Sequence, residues 1–369
     1  MENGRVRISD IAEELGLSNA TVSNVIHGKT KKVSEETIKR VQELVEKRGY
    51  IPSMAGILLA QNHSGIIGIM VNDHEKYEGH ALEDGFISAS VNALSKEIDR
   101  TGRFMMVKVT GRWEEIVRFA SMWNMEGLII IGFCEQDYQK LRESMHIPFV
   151  VYDGFFREQR AKCRACTGIW RLPRGCNTQQ CGALHFQEAQ RICNLTIDNY
   201  GGGYQAGRYL KEMGHRKVLC ITDNFTCMDL ERIKGCVEAM EEEAVSFLEV
   251  PMKKEERMRL YREKEAEILE YTAVFAMSDF YAAELIHYLQ ERNKRVPEDI
   301  SVVGFDDSPL CAYCSPELTT IRQDAEARAR TAISVLRNLR EGTEERNTIK
   351  MPVFLVKRGS VKRISEPEK

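Results

Sequence analysis

The first fifty positions carry apolar residues at three- and four-residue spacing, at Ile8, Ile11, Ala12, Leu15, Leu17, Val22, Val25, Ile38, Val41 and Val45, with no alternating run among them. That period predicts short helices sharing one small core. Punctuation divides them into three. Ser9 precedes 10–15 and Gly16 follows it; Ser18 precedes 19–27 and Gly28 follows it; Ser34 precedes 35–48 and Gly49 follows it. A serine hydroxyl accepts from the free N–H groups of a helix start, and glycine adopts the left-handed turn that ends one. Pro52 then breaks the helical run, and 53–60 is a short apolar segment with almost no polar face, read as a hinge.

From Gly65 onward the period changes. Apolar runs at 66–72, 104–109, 128–133, 149–153, 195–198, 218–222, 274–277 and 301–305 alternate with amphipathic stretches at 81–99, 114–123, 136–145, 203–213, 229–242, 256–271 and 281–293. Such alternation predicts right-handed crossovers and parallel sheets. Eight strands over this length fit two doubly wound lobes better than one sheet. The expected architecture is α/β: a three-helix head over 1–50, a hinge over 51–63, and a two-lobed core over 64–358. The N-lobe is expected at 64–156 with 300–320, the C-lobe at 193–299 with 321–358, and a tail at 359–369. Ligands of such sheets sit at the carboxyl ends of strands. This draws attention to Asp73, Asp153, Asp223, Asp279, and Phe305 with Asp306.

Composition narrows the classes. The chain has 369 residues, 43% hydrophobic and 29% charged with 9 Pro, which is the balance of a folded globular protein rather than a disordered one. With Lys+Arg 52 against Asp+Glu 55 the net charge is −3, so any polyanion must be met by a local module. The head itself holds nine Lys/Arg and eight Asp/Glu, a net +1. No basic-then-apolar start is present, and clean apolar runs such as 127–133 are far short of a membrane span. A cytoplasmic protein without a membrane partner is expected.

The turn Gly16-Leu17-Ser18 has the length a helix-turn-helix needs. It leaves Ser18, Asn19, Ala20, Thr21, Ser23 and Asn24, all small or polar, at the start of the second helix, where a major groove would be met. On pattern alone an ordinary three-helix cap fits as well. The wider sequence then adds Ile8-Ser9-Asp10-Ile11-Ala12, Thr21-Val22-Ser23, Val33-Ser34, Thr37, Val41 and Gly49-Tyr50-Ile51-Pro52, and this head closely resembles the DNA-binding head of the lactose-repressor (LacI/GalR) family. The core carries similar marks. They are Asp198-Asn199-Tyr200-Gly201-Gly202, Leu210, Gly214-His215-Arg216-Lys217-Val218, Arg232 with Gly235, the run from Val296 to Asp307, and Leu318-Thr319-Thr320-Ile321. Apart from the stretch after Phe156, the resemblance covers the chain.

The resemblance implies a homodimeric DNA-binding regulator, expected to be a repressor. Its two heads would read the half-sites of a palindromic duplex operator, and its periplasmic-binding-protein-like core would sense a small molecule. It places Asn19, Ala20 and Asn24 at base edges, where Asn pairs with adenine and Ala meets a thymine methyl. Leu59 falls where the family wedges a leucine into the minor groove. Asn24 and His27 stand where many members carry Arg and Asn, and Gly56-Ile57 replaces the usual Ala-Arg of the hinge, so the operator is this chain's own. Carried over position by position, the effector site falls on Asp153, Arg232, Asp279, Phe305 and Gln323, with His74, Tyr77 and His80 in the neighbouring loop. An Arg among several carboxylates suits a polyol, such as a sugar or nucleoside, better than a phosphate. Strand-end carboxylates that only cap the following helices are the competing reading for any single Asp. Nothing after Lys350 has a heptad pattern, which favours a dimer over a tetramer.

Residues 157–192 depart from all of this. Seven Lys/Arg accompany two Glu, and Cys163, Cys166, Cys176 and Cys181 stand at spacings that thiolate zinc sites use loosely. A disordered or non-native insertion, a redox-responsive loop and a zinc site are the readings, in that order, and no cofactor is expected. Gly201-Gly202-Gly203-Tyr204-Gln205-Ala206-Gly207 loosely echoes a dinucleotide loop, but its spacing is wrong and helix packing explains it better. No nucleophile–base pair is found, so no enzyme is expected. The rival class is a cytosolic sugar-binding or sugar-processing protein whose head serves protein contacts.

Overall fold

The computed structural model describes residues 6–51, 64–133, 140, 141, 143–145, 147–154, 191–225 and 227–364. By its contacts the chain forms two units, Met1–Gly65 with Trp123–Glu126, and Ile66–Met122 with Gly127–Lys369. In the first, helices α1 (Ile8–Leu15), α2 (Asn19–Ile26) and α3 (Glu35–Lys47) enclose Ile11, Ala12, Val22, Val25, Val41 and Leu44. Ser18 and Ser34 cap α2 and α3 by accepting from Thr21 N and Thr37 N, and Gly16 ends α1 at φ 64°. Ser9 is not the cap of α1. Asp10 Oδ2 accepts from Arg7 N at 2.8 Å, which moves the helix start back to Ile8 and leaves the Ser9 hydroxyl on Asp10.

The second unit holds two six-stranded sheets. The first orders β11 (Thr348–Met351), β5 (Ile192–Ile197), β4 (Phe149–Tyr152), β3 (Gly127–Ile131), β1 (Ile66–Val71) and β2 (Phe104–Val109), all pairs parallel. The second orders β12 (Val353–Val356), β10 (Thr319–Gln323), β9 (Ser301–Asp306), β8 (Ala273–Ala276), β6 (Val218–Thr222) and β7 (Val245–Glu249), parallel except at the edge pair β10–β12. Strands such as β3 and β6 are buried along their whole length, as parallel strands covered on both faces must be. The covering helices are α4 (Gly85–Arg100), α5 (Trp113–Met122), α6 (Asn199–Glu212), α7 (Cys227–Met240), α8 (Lys254–Ile268), α9 (Asp279–Glu291) and α10 (Ala325–Glu341).

The two-lobed α/β architecture matches expectation, but the division of the chain between lobes does not. Strand β5, expected in the C-lobe, pairs with β4 in the first sheet, and β9, expected in the N-lobe, pairs with β8 in the second. Helix α10 packs on the first sheet through Ala329, Ala332, Val335 and Leu336, although 321–358 was expected in the C-lobe. The chain therefore crosses between lobes after β5, after β10 and after β11. Which sheet a strand joins is a long-range pairing, and no local pattern encodes it. Residues 359–364 are not a tail either. Ser360 Oγ donates to Val302 O at 2.6 Å and accepts from Thr319 N at 2.8 Å, and Ile364 N donates to Met213 O. The hinge from 52 to 63, half of 136–145 and the insert up to 190 lie outside the described residues.

His215 fixes this C-terminal strand of chain in place. Its ring, fully buried, bonds Thr272 Oγ1 at 2.9 Å through Nδ1 and Lys362 O at 3.2 Å through Nε2. The carbonyl can only accept, so Nε2 carries the hydrogen and Nδ1 is the acceptor. Burial pushes the ring down to about 4 from 6.5. The native state therefore keeps the ring neutral while the unfolded chain takes up the proton, and stability should fall as pH drops from 6.5 to about 4. Asp229 and Asp279, raised by burial to about 6, act in the opposite sense. The expected result is comparative: over that range the wild type loses about 3 kcal/mol more than His215→Gln in urea unfolding.

Candidate functional site

In the head, the start of α2 is presented as the helix-turn-helix pattern requires. Val22 and Val25 are buried, while Ser18, Asn19, Ala20 and Asn24 are exposed and Thr21, Ser23 and His27 are half-buried. The Ser18 and Thr21 hydroxyls bond each other at 2.9 Å, so both side chains serve the cap. The two amides of Asn19 and Asn24 remain the groups suited to a base edge. Beside them lies a groove of about 620 Å³, lined by Thr21, Asn24, Lys31, Lys32, Ser34 and Thr37. Cationic side chains along its rim suit the phosphates that flank a groove. Leu59, Cys163, Cys166, Cys176 and Cys181 lie outside the described residues.

In the core, the expected effector residues come together where strands of both sheets end, but with divided roles. Arg232, near the start of α7, stacks its guanidinium 3.7 Å from the centre of the Phe305 ring. Its Nε donates to Asn199 Oδ1 at 2.9 Å, Nη1 donates to Met277 O, and Asp229 Oδ1 lies 3.7 Å away. The close crossing of α6 and α7 makes this possible. A Cβ on Gly203 would stand 1.8 Å from Arg232 O, and one on Gly235 would stand 2.0 Å from Tyr200 O, so only glycine permits the approach.

Asp153 and Gln323 are joined through a residue that sequence reasoning missed. Arg328, fully buried, donates from Nη2 to Asp153 Oδ2 at 2.7 Å and to Leu195 O, and from Nη1 to Gln323 Oε1 at 2.9 Å. Gln323 Nε2 in turn donates to Asp306 Oδ1 at 2.6 Å. An unbroken chain of hydrogen bonds thus runs from Asp153 of the first lobe to Asp306 of the second. The signal for Arg328 was its place on the apolar stripe continued by Ala329, Ala332, Val335, Leu336 and Leu339.

Asp279, expected at the effector site, is bonded to the protein itself. Its carboxylate accepts from Thr320 Oγ1 at 2.5 Å and from Ser308 N at 2.7 Å, which holds the turn after β9 and keeps both oxygens engaged. Asp306, on that turn at φ 121°, is the carboxylate that stands with Arg232 and Gln323. Its place at a strand end was legible, but its role was not. Burial pushes its carboxyl well up despite the opposing charge of Arg232. Asp229 rises to about 6 for the same reason, with Thr222 Oγ1 2.6 Å from its Oδ2. His74 is half-buried after β1, where burial lowers its ring below the usual value. His80 is exposed and bonds Glu83, and Asp73 is exposed, so neither joins the cluster. The arrangement offers carboxylate acceptors and a guanidinium edge to hydroxyl groups. Among the described residues no group of three His, Cys, Asp or Glu is placed to hold a metal, and no helix is long and apolar enough to cross a membrane.

Comparison with known proteins agrees with both units. Residues 7–53 match the model of the bacterial regulatory proteins, lacI family, and 208–361 match a periplasmic binding protein-like domain. HTH-type transcriptional repressor PurR of Vibrio atlanticus is 28% identical over 97% of this chain and 99% of its own length. The protein of that name from Vibrio cholerae, also 28% identical, is covered equally. Among solved structures, the Lac repressor dimer bound to operator and an anti-inducer aligns with TM-score 0.75 and 21% identity over 97% of this chain and 100% of that one. The CelR–cellobiose complex aligns at 0.60 with 22% identity, over 96% of this chain and 100% of that one. The chain thus joins a helix-turn-helix head of the lacI family of bacterial regulatory proteins to a periplasmic-binding-protein-like core.

Proposed function

We propose that the chain is a transcriptional repressor that binds a palindromic duplex operator as a homodimer, one head per half-site. A small polyhydroxylated molecule, a sugar or nucleoside, changes its affinity for that operator from the core. The observation that carries the DNA reading is the capped start of α2, which turns Asn19, Ala20 and Asn24 outward beside a lysine-rimmed groove. Leu59 is assigned to the central minor groove by its place in the sequence. In the core, Arg232, Asp229 and Asp306 present polar edges to the effector, Phe305 backs the guanidinium, and Asp153, Arg328 and Gln323 carry the lobe-to-lobe connection. Asp279 acts from behind by holding the Asp306 turn. Closing the lobes on a ligand would shift the dimer between states of different operator affinity, in proportion to the ligand's differential affinity for them. The names of the relatives favour repression, and the cellobiose bound to CelR favours a hydroxylated ligand. No chemical step is part of this account, and a chromosome-binding role would place the protein in the cytoplasm. Selection of bound sequences from a random duplex pool tests the reading, with a palindrome as the expected result.

A further inference from the structure

Helix α4 of the first lobe begins against the second lobe with no room for a side chain. A Cβ on Gly85 would stand 2.7 Å from Ser308 Cβ and 3.0 Å from Ser308 Oγ. Neither partner can yield locally. Asp84 Oδ1 accepts from Phe86 N at 3.1 Å and from Ile87 N at 3.0 Å, and Ile87 is buried in the core of the first lobe, so the start of α4 is fixed. Ser308 N donates to Asp279 Oδ2 at 2.7 Å, and Asp279 Oδ1 accepts from Thr320 Oγ1 of β10, so the turn after β9 is fixed as well. Elsewhere between the lobes, Glu75, which follows β1, lies 3.6 Å from Lys253, which precedes α8. Both side chains of that pair are more than half exposed, so it registers the approach of the lobes without enforcing it. The chain crosses between lobes after β5, β10 and β11, and a few such connections let two packed bodies turn about them.

We propose that Gly85 and Ser308 form the stop against which the two lobes close, and that the bare backbone at Gly85 sets how far closure goes. The proposal rests on reading the lobes as the moving parts of the effector response. A methyl group added at Gly85 would meet Ser308 Cβ, a carbon one bond from a tethered backbone, so the lobes must part because no side chain can turn aside. The closed population then falls, and a ligand that binds the closed lobes loses affinity in proportion. Ser308→Gly removes the opposing carbon and should let the Gly85→Ala chain close again.

The test reads closure directly in the full-length chain. Wild type, Gly85→Ala and the Gly85→Ala/Ser308→Gly double variant are treated with a water-soluble carbodiimide, which condenses a carboxylate and a neighbouring amine to an amide. Peptide mass spectrometry then compares the Glu75–Lys253 link with the link between Lys211 and Glu241, which are 2.8 Å apart within the second lobe. Wild type should form both. In Gly85→Ala the ratio of cross-lobe to internal link should fall about fivefold. Ser308→Gly should restore about half of that loss or more. A Gly85→Ala chain that keeps the wild-type ratio overturns the proposal, and so does a double variant that stays as low as the single one. A wild type that forms only the internal link overturns it too, together with the reading of the lobes as moving parts. Should Gly85→Ala fail to fold, Ser308→Val adds bulk from the other lobe and takes its place, with the same expected fall and the same contrary result. Neither DNA nor effector is present, so a failure here and a failure of the operator reading remain distinguishable.

Discussion

Gly203→Ala should destabilise the core by about 4 kcal/mol and abolish the effector response, the largest loss expected from any single methyl group in this chain. The added Cβ would meet Arg232 O at 1.8 Å, Arg232 C at 2.6 Å and Arg232 Cα at 2.8 Å, all backbone. Backbone atoms cannot swing aside as a side chain can, so α6 and α7 must separate. Separation opens the packing around Ala206, Leu210, Ile233 and Cys236 and pulls Arg232 from Asn199 and from the Phe305 ring. Alanine's better helix propensity returns only about 1 kcal/mol. Gly207→Ala, whose Cβ would stand 2.8 Å from Cys236 O, should cost less. Urea unfolding of the two variants checks the order. A Gly203→Ala protein within 1 kcal/mol of wild type would mean that the helices do not cross this closely.

Arg328→Met should cost about 3–5 kcal/mol, because it strips a buried carboxylate of its partner rather than removing a surface pair. Arg328 and Asp153 are 1% and 7% exposed, and no solvent replaces the lost charge. The same change frees Gln323 Oε1 and Leu195 O and removes the guanidinium stacked 4.1 Å from the Tyr152 ring. Adding Asp153→Asn to the variant should recover at least about 1 kcal/mol, since the uncompensated charge is then gone. Strict additivity of the two changes in denaturant titrations would contradict the pairing. Effector response should be lost in both, because the hydrogen-bonded chain from Asp153 to Asp306 is cut at its centre.

The sequence announced this protein's elements more fully than its site. Ser18, Ser34 and Gly16 mark helix ends by chemistry that acts within four residues, and the structure places them there. Ser9 failed because Asp10 offered the backbone a better local partner. Strands β1, β2 and β6 stood out as apolar runs, whereas β7, β10, β11 and β12 did not. They are only four or five residues long, and Ser246, Thr319 and Thr320 are buried polar residues within them. Lobe membership was illegible for a different reason. Residues 301–306 look alike whichever sheet they join, and only pairing with β8 decides.

At the site, strand-end position drew attention to Asp153 and the family resemblance to Arg232 and Gln323, and the structure joins Asp153 to Gln323 through Arg328. Neither signal said which oxygens were already engaged. Asp279 has both oxygens occupied by Ser308 and Thr320, while Asp306, its neighbour in space, stands with Arg232 and Gln323.

The central claim is that the exposed start of α2 reads sequence in a duplex while the core sets affinity. Selection from a random duplex pool by the purified full-length protein, repeated at two salt concentrations, tests it most directly. The account predicts enrichment of a palindrome with a flexible central step, retained at the higher salt with weaker binding overall. Recovery of only salt-sensitive, sequence-independent binding would contradict it.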